Sequence, residues 1–150
     1  MNYSLFYEKY HPFLFAVILT FAFYKLMPAE DILMRTSKFF DYALRASISL
    51  AGFFLAVTTL LHSVESRRVR FVKSSGNFGR IERYLSNTIL AHFVVVIMIM
   101  GSFFISAIGL TPYYLKIVLT LQFFIVSFTM LISLRFVSKF LQIMRDPMND

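Results

Sequence analysis

The chain has 150 residues, of which 58% are hydrophobic and 15% charged, and its 15 basic residues outnumber its 8 acidic ones. A soluble domain of this size carries about a quarter charged residues, so this composition, with a mean hydropathy of +0.69, indicates a membrane protein. The absence of cysteine excludes disulfides, thiolate nucleophiles and cysteine-based metal sites.

The first predicted crossing covers residues 12–27. Pro12 suits a first helical turn, where its missing N–H needs no partner, and Pro28 closes the helix. Little positive charge precedes the apolar run, and no small-residue cleavage site follows it. We therefore expect a retained helix rather than a removed signal peptide.

Residues 28–43 alternate between charged and apolar positions at helical spacing. Glu30 and Asp31 suit the start of a helix, where negative charge is favoured. Arg35 and Lys38 then share a face that Phe40 does not. The pattern predicts an amphipathic helix at the membrane interface, either separate from the second crossing or continuous with it. The alternative is a connector that only covers the membrane surface.

The second predicted crossing, residues 44–64, is expected to be the packing centre of the fold because its small and polar side chains fall on one face. Such a face either forms a close helix–helix seam or lines a water-filled path. One four-helix chain has little interior room, so conduction would require several copies around an axis. The members of this polar stripe are Arg45, Ser49, Gly52, Ala56, Thr59 and Ser63.

A basic segment, residues 65–85, follows and contains the clear turn signal SSGNFG. It predicts a helical hairpin that extends beyond the lipid. Anionic lipid head groups would satisfy its charge, and a cytosolic protein could also dock there. No nucleic-acid-binding motif accompanies the charge. The basic residues of the hairpin are Arg67, Arg68, Arg70, Lys73, Arg80 and Arg83.

The third and fourth predicted crossings cover residues 87–110 and 113–134. The short connection at Thr111 and Pro112 requires these helices to be antiparallel neighbours. In the fourth, one face carries Gln122, Thr129 and Ser133.

The placement of positive charge predicts the orientation. If both termini are cytoplasmic, ten of the 15 basic residues lie inside. We therefore predict an all-α integral membrane protein in which residues 1–150 form a single domain. It has four transmembrane helices, N-in and C-in, an interfacial helix between the first two and a basic cytoplasmic hairpin between the second and third.

The search for chemistry finds no catalytic or phosphate-binding motif, so we expect no enzymatic activity, no cofactor and no metal. No acidic residue lies inside a predicted crossing, which disfavours the proton-coupled mechanism of the small multidrug exporters. His62 and His92 are predicted near the same end of adjacent helices and could form a polar or pH-responsive gate. The alternative is that both are interfacial histidines bonded to backbone carbonyls or water.

The second crossing and the hairpin after it resemble small four-helix membrane proteins of phage exclusion, namely the RexB type of lambdoid prophages and the membrane component of Kiwa-like defence systems. The shared features are Ala51-Gly52, Thr58 and Thr59, the pair Arg67-Arg68, and the glycine-containing basic hairpin. The resemblance covers about a third of the chain and the four-helix layout. It implies a component of bacterial immunity in the plasma (inner) membrane.

Two functions are therefore expected. In the first, the protein is a homo-oligomeric, ion-conducting or membrane-perturbing effector whose polar stripe lines or gates a pore. In the second, it is a non-conducting anchor or sensor that recruits a cytosolic effector through the basic hairpin.

Overall fold

The computed structural model describes residues 3–28, 32–63, 70, 78–107 and 111–145, and its fold is all-helical. The predicted all-α class is confirmed. The helix bounds are α1 Tyr3–Leu26, α2 Ile32–Ser63, α3 Phe78–Ala107 and α4 Pro112–Arg145.

Within the described residues, three helices are long and apolar enough to cross a membrane. These segments are Thr36–Ser63, Ile81–Ser102 and Pro112–Leu141, and α1 contributes a shorter apolar segment, Tyr10–Leu26. A crossing needs about 20 residues, so the second, third and fourth predicted crossings each fall on a helix of sufficient length.

Pro28 occupies its predicted position, whereas Pro112, predicted in the turn before the fourth crossing, and Pro12 are both helical. Pro28 follows the last turn of α1, where the Met27 N–H donates to the Phe23 carbonyl over 3.0 Å. Pro112 is the first residue of α4, and the Thr111 carbonyl accepts from the Leu115 N–H over 3.1 Å. Pro12 is different: it lies inside α1, which begins at Tyr3. The prediction of a first-turn position is wrong, because the polar-aromatic residues before Pro12 are helical too.

The segment predicted as an interfacial helix is the start of α2 over its described part. This helix runs without interruption for 32 residues, or about 48 Å at 1.5 Å per residue. Thr36, Phe40 and Ala43 are buried, and Phe40 and Ala43 share a core cluster with residues of the other three helices. A separate interfacial helix is therefore not found over residues 32–43, whereas the continuous alternative agrees with the structure.

Side-chain contacts fix the relative directions of the helices. His92 of α3 meets Ser133 of α4, whereas Ser102 meets Gln122, so α3 and α4 are antiparallel. Contacts of Phe54 with His92 and of His62 with Phe78 make α2 antiparallel to α3.

The direction of α1 follows in the same way. Phe13 contacts Phe128, and Tyr24 contacts Lys116, so α1 is antiparallel to α4. At one end of the bundle α1 begins, α2 ends, α3 begins and α4 ends. The first residue of α1 and the last residue of α4 thus lie at the same end of the bundle, in agreement with the prediction that both termini share one side.

The packing centre lies at α3 and α4 rather than at α2. α4 packs against both α1 and α3, and α2 packs mainly against α3. Phe123 of α4 stacks on Phe23 of α1 with ring centroids 4.3 Å apart and lies 5.0 Å from Phe39 of α2. The prediction that the second crossing is the packing centre is therefore wrong. Its apolar side faces the bundle, but its polar stripe does not.

Two apolar clusters form the core. The first joins all four helices around Phe23, Phe40 and Ile99. The second lies toward the end where α2 ends and α3 begins, and it centres on Phe54 and Leu85. Outward faces are apolar as well, as expected for a surface solvated by lipid. Large exposed side chains on α3 include Leu90, Ile97 and Phe104.

Candidate functional site

The polar stripe of α2 faces outward. All six of its residues are exposed in the isolated chain. The buried side chains of the same helix include Phe40, Ser47, Phe54 and Leu61. At about 100° per residue, the centre of this buried face lies about 180° from the centre of the stripe. The stripe is therefore directed away from the core of its own chain.

Three polar side chains of the stripe have partners on their own helix. Arg45 forms two contacts with Asp41 one turn earlier, Nη2 to Oδ2 at 3.0 Å and Nε to Oδ1 at 3.3 Å. The Thr59 hydroxyl donates to the Leu55 carbonyl over 3.0 Å, and the Ser63 hydroxyl donates to the Thr59 carbonyl over 2.8 Å. These bonds leave the hydroxyl oxygens able to accept from a neighbouring helix or from water.

Gly52 makes the middle of the stripe shallow. A Cβ placed on Gly52 meets no atom within 4 Å, so this glycine is not required by any contact inside the chain. A glycine at an exposed position of a membrane helix allows another helix to approach closely. The stripe is therefore not a seam within one chain. Its remaining possibilities are contact with another molecule and contact with water.

A second polar feature is hidden inside the bundle. Among the residues whose burial the structure describes, seven buried polar side chains come from α2, α3 and α4. We call them the buried polar row. The members are Thr36, Ser47, Thr88, His92, Gln122, Thr129 and Ser133.

His92 joins α3 to α4 in this row. Its side chain is fully buried, and its Nε2 lies 2.8 Å from the Ser133 Oγ. The Ser133 hydroxyl donates its hydrogen to the Thr129 carbonyl, so it accepts from His92, and the network assigns the imidazole hydrogen to Nε2. The ring packs against Phe54 with centroids 5.9 Å apart. Nδ1 has no hydrogen-bond partner.

Gln122 forms the second polar link between the same two helices. Its side-chain nitrogen donates to the Ser102 Oγ over 2.6 Å and to the Met98 carbonyl over 3.2 Å. The Gln122 Oε1 and the Ser47 Oγ are buried without a partner. The prediction that Gln122, Thr129 and Ser133 share a face is confirmed, since all three are buried. Their partners on α3 were not predicted, because spacing within one helix does not report the register of another.

The two histidines do not come together. His62 is exposed; its Nδ1 bonds to the Thr58 carbonyl over 2.8 Å and its Nε2 lies 3.4 Å from a Glu82 carboxylate oxygen. His92 lies ten residues beyond Glu82 on α3, or about 15 Å along the helix. The predicted His62–His92 gate is therefore wrong. The alternative of a histidine bonded to a backbone carbonyl fits His62. His92, by contrast, is bonded to the Ser133 side chain.

The basic hairpin is described only in part. Arg70 and Arg83 are exposed, and Arg80 belongs to the first turn of α3. These residues lie at the end where α2 ends and α3 begins. Arg67, Arg68 and Lys73, with most of the predicted turn, lie outside the described residues.

Metal chemistry has no support in the part of the chain that the structure describes. Within residues 3–28, 32–63, 78–107 and 111–145, no group of three His, Cys, Asp or Glu side chains could hold a metal ion. Comparisons of the chain with protein-family models, with curated proteins and with solved structures give no match. Over the described residues, the fold therefore assigns the protein to a class and not to a family. The class is that of all-α proteins, here with three helices able to cross a membrane.

Proposed function

We propose that the protein is a homo-oligomeric membrane protein in which the polar stripes of several copies face one another and line an ion path. In this proposal α1 is the fourth crossing and both termini are cytoplasmic, in the bacterial plasma membrane. The first turns of α2 then lie at the outer interface. The role in anti-phage defence comes from the resemblance of the second crossing and the hairpin to phage-exclusion proteins.

The outward position of the polar stripe supports this proposal. If the polar stripe faced lipid, the charged Asp41–Arg45 pair would lie against hydrocarbon, which is costly. The small and hydroxylated residues of the stripe would also make none of the close contacts by which membrane helices associate. Facing other copies, Gly52 permits close approach and the hydroxyl oxygens of Thr59 and Ser63 accept from water. The interior of one chain, by contrast, is filled by side chains such as Phe54 and Ile99.

The test is to block the stripe without disturbing the fold. In the double variant Gly52→Leu, Thr59→Leu, the added side chains enter open space in the isolated chain. We expect the variant to fold, to lose the oligomer seen by native mass spectrometry in nanodiscs, and to lose ion conductance after reconstitution.

The matched control is Ser86→Leu, Gly101→Leu on α3. Ser86 is also exposed, and a Cβ on Gly101 also meets no atom within 4 Å. The control should retain both oligomer and conductance. A wild-type protein that stays monomeric, or a stripe variant that conducts as well as the control, would contradict the proposal.

A second function is favoured by the exposed Arg70 and Arg83 at one end of the bundle. In this alternative the protein anchors a cytosolic effector, whose binding site is the basic hairpin. The candidate effector to test is the protein encoded by the neighbouring gene. Its release from membranes is expected when charge is reversed at Arg67, Arg68, Arg80 and Arg83. Reversal of Lys25 and Lys116 at the opposite end should not release it, and protease protection must show that the orientation is unchanged. A neighbour that stays bound to the reversed hairpin would exclude this alternative.

A further inference from the structure

The outer surface between α1 and α4 contains a groove that the proposed pore does not use. It consists of two adjoining depressions of about 290 Å³ and 300 Å³. Both are lined by Thr20 and Tyr24 of α1 and by Thr120 and Phe124 of α4. Because the depressions share four of their six lining residues, they overlap and form one shallow, open groove at the seam of the two helices.

The groove is apolar although two threonines line it. The Thr20 hydroxyl donates to the Ala16 carbonyl over 2.7 Å, and the Thr120 hydroxyl donates to the Lys116 carbonyl over 2.7 Å. Each hydroxyl hydrogen is thus used within its own helix. Phe21 extends the wall and is itself well exposed. An open apolar groove on a membrane-facing surface suits a hydrocarbon chain.

Positive charge lies at one end of this groove. The Lys116 ammonium is 4.4 Å from the centre of the Tyr24 ring, and the Lys25 ammonium is 5.7 Å from the centre of the Phe21 ring. Among the described residues, neither lysine forms an ion pair. Tyr113 and Tyr114 are exposed at the same end. Tyrosines and lysines in this arrangement are typical of the level of the lipid head groups.

We propose that the α1–α4 groove binds one anionic phospholipid. Its acyl chain lies along Thr20, Thr120 and Phe124, and its phosphate is bound by Lys116 and Lys25. The apolar length and the two cations at one end together specify this ligand, since neither feature alone selects an anionic lipid. The proposal does not depend on the oligomer or on conduction, because the groove and the polar stripe lie on different helices.

The absence of tryptophan from the chain permits a direct test. The Phe21→Trp variant places a single fluorophore at the wall of the groove. The control variant Phe104→Trp places one on an exposed position of α3, two residues beyond Ser102 and so toward the same end of the bundle. Each is reconstituted in phosphatidylcholine vesicles containing a fixed fraction of brominated lipid, either phosphatidylglycerol or phosphatidylcholine, because bromine quenches tryptophan that the lipid contacts.

We expect brominated phosphatidylglycerol to quench the Phe21→Trp variant more than brominated phosphatidylcholine does. The preference should be roughly fivefold in relative binding constant per lysine, from about 1 kcal/mol per basic residue near the surface. Adding Lys116→Gln should reduce the preference. Adding Lys38→Gln, which removes an exposed lysine near the start of α2, should leave it unchanged. The Phe104→Trp control should show no preference.

Three results would overturn the proposal. They are equal quenching by the two lipids at the groove, the same preference at the Phe104→Trp position, and equal effects of the two lysine substitutions. Far-UV circular dichroism of every variant separates a lost site from a lost fold. Because no step measures conductance or copy number, failure here would not affect the proposed pore.

Discussion

The same substitution at two buried serines should change stability in opposite directions. Ser133 accepts the hydrogen bond from His92, whereas the Ser47 hydroxyl is buried without a partner. Ser133→Ala leaves the His92 N–H unpaired, and a bond of this kind between membrane helices contributes on average about 0.6 and at most about 1.7 kcal/mol. We therefore expect a loss of about 1 kcal/mol in the free energy of unfolding.

Ser47→Ala removes an unpaired buried hydroxyl and should raise the free energy of unfolding by about 1 kcal/mol. Any gain from the higher helix propensity of alanine is common to both variants and cancels in their difference. Reversible unfolding in bicelles, followed by circular dichroism, should thus separate the two variants by about 2 kcal/mol. Equal changes, or a larger loss for Ser47→Ala, would refute the assignment of partnered and unpartnered groups in the buried polar row.

Three further predictions follow from other contacts. Phe54 is fully buried and Phe53 is half exposed. Phe54→Ala should therefore lower the unfolding free energy by about 3 kcal/mol because it leaves a cavity, while Phe53→Ala should lower it much less. Equal losses in the bicelle assay would contradict the assignment of Phe54 to the core and Phe53 to the surface. Glu82→Gln should change the unfolding free energy by less than about 1 kcal/mol, because its ion pair with His62 is half exposed. It should also leave the ion conductance unchanged, and a lost current would show that the His62–Glu82 pair controls conduction. Gly52→Leu should raise the unfolding free energy of the isolated chain by up to about 1 kcal/mol, because leucine has a higher helix propensity than glycine and its side chain meets no atom of the chain. A large loss measured in monodisperse detergent would show that the position is not open.

Sequence periodicity identified the members of the polar stripe but not the direction in which it faces. In water, the apolar side of a helix must face the protein. In lipid, the core and the solvent are both apolar, so hydrophobicity does not distinguish them. The buried face of α2 contains Phe54 and Leu61 but also Ser47, and its outward face contains Leu55 as well as the stripe. Which side of α2 faces the core is therefore decided by its packing against α3.

The position of His92 shows a second limit. The third crossing was predicted to begin at residue 87, but α3 begins at Phe78. The predicted helical hairpin already extends the third helix beyond the lipid, and the start of α3 at Phe78 agrees with it. His92 was predicted about one turn inside the crossing itself, so measured from Phe78 it lies well inside the helix. Its bond to Ser133 further required the register between α3 and α4. The shared face of Gln122, Thr129 and Ser133 was predictable, because it depends on spacing within one helix.

Cysteine cross-linking in native membranes tests the central claim most directly, because the chain contains no cysteine of its own. A disulfide requires Cβ atoms within about 4.5 Å, so only positions where two copies meet will form one under mild oxidation. We predict disulfide-linked dimers for Ala56→Cys and Thr59→Cys in the polar stripe. We predict none for Ile97→Cys, which is well exposed on α3. Failure of both stripe variants to cross-link, or cross-linking of equal extent at Ile97→Cys, would contradict the account.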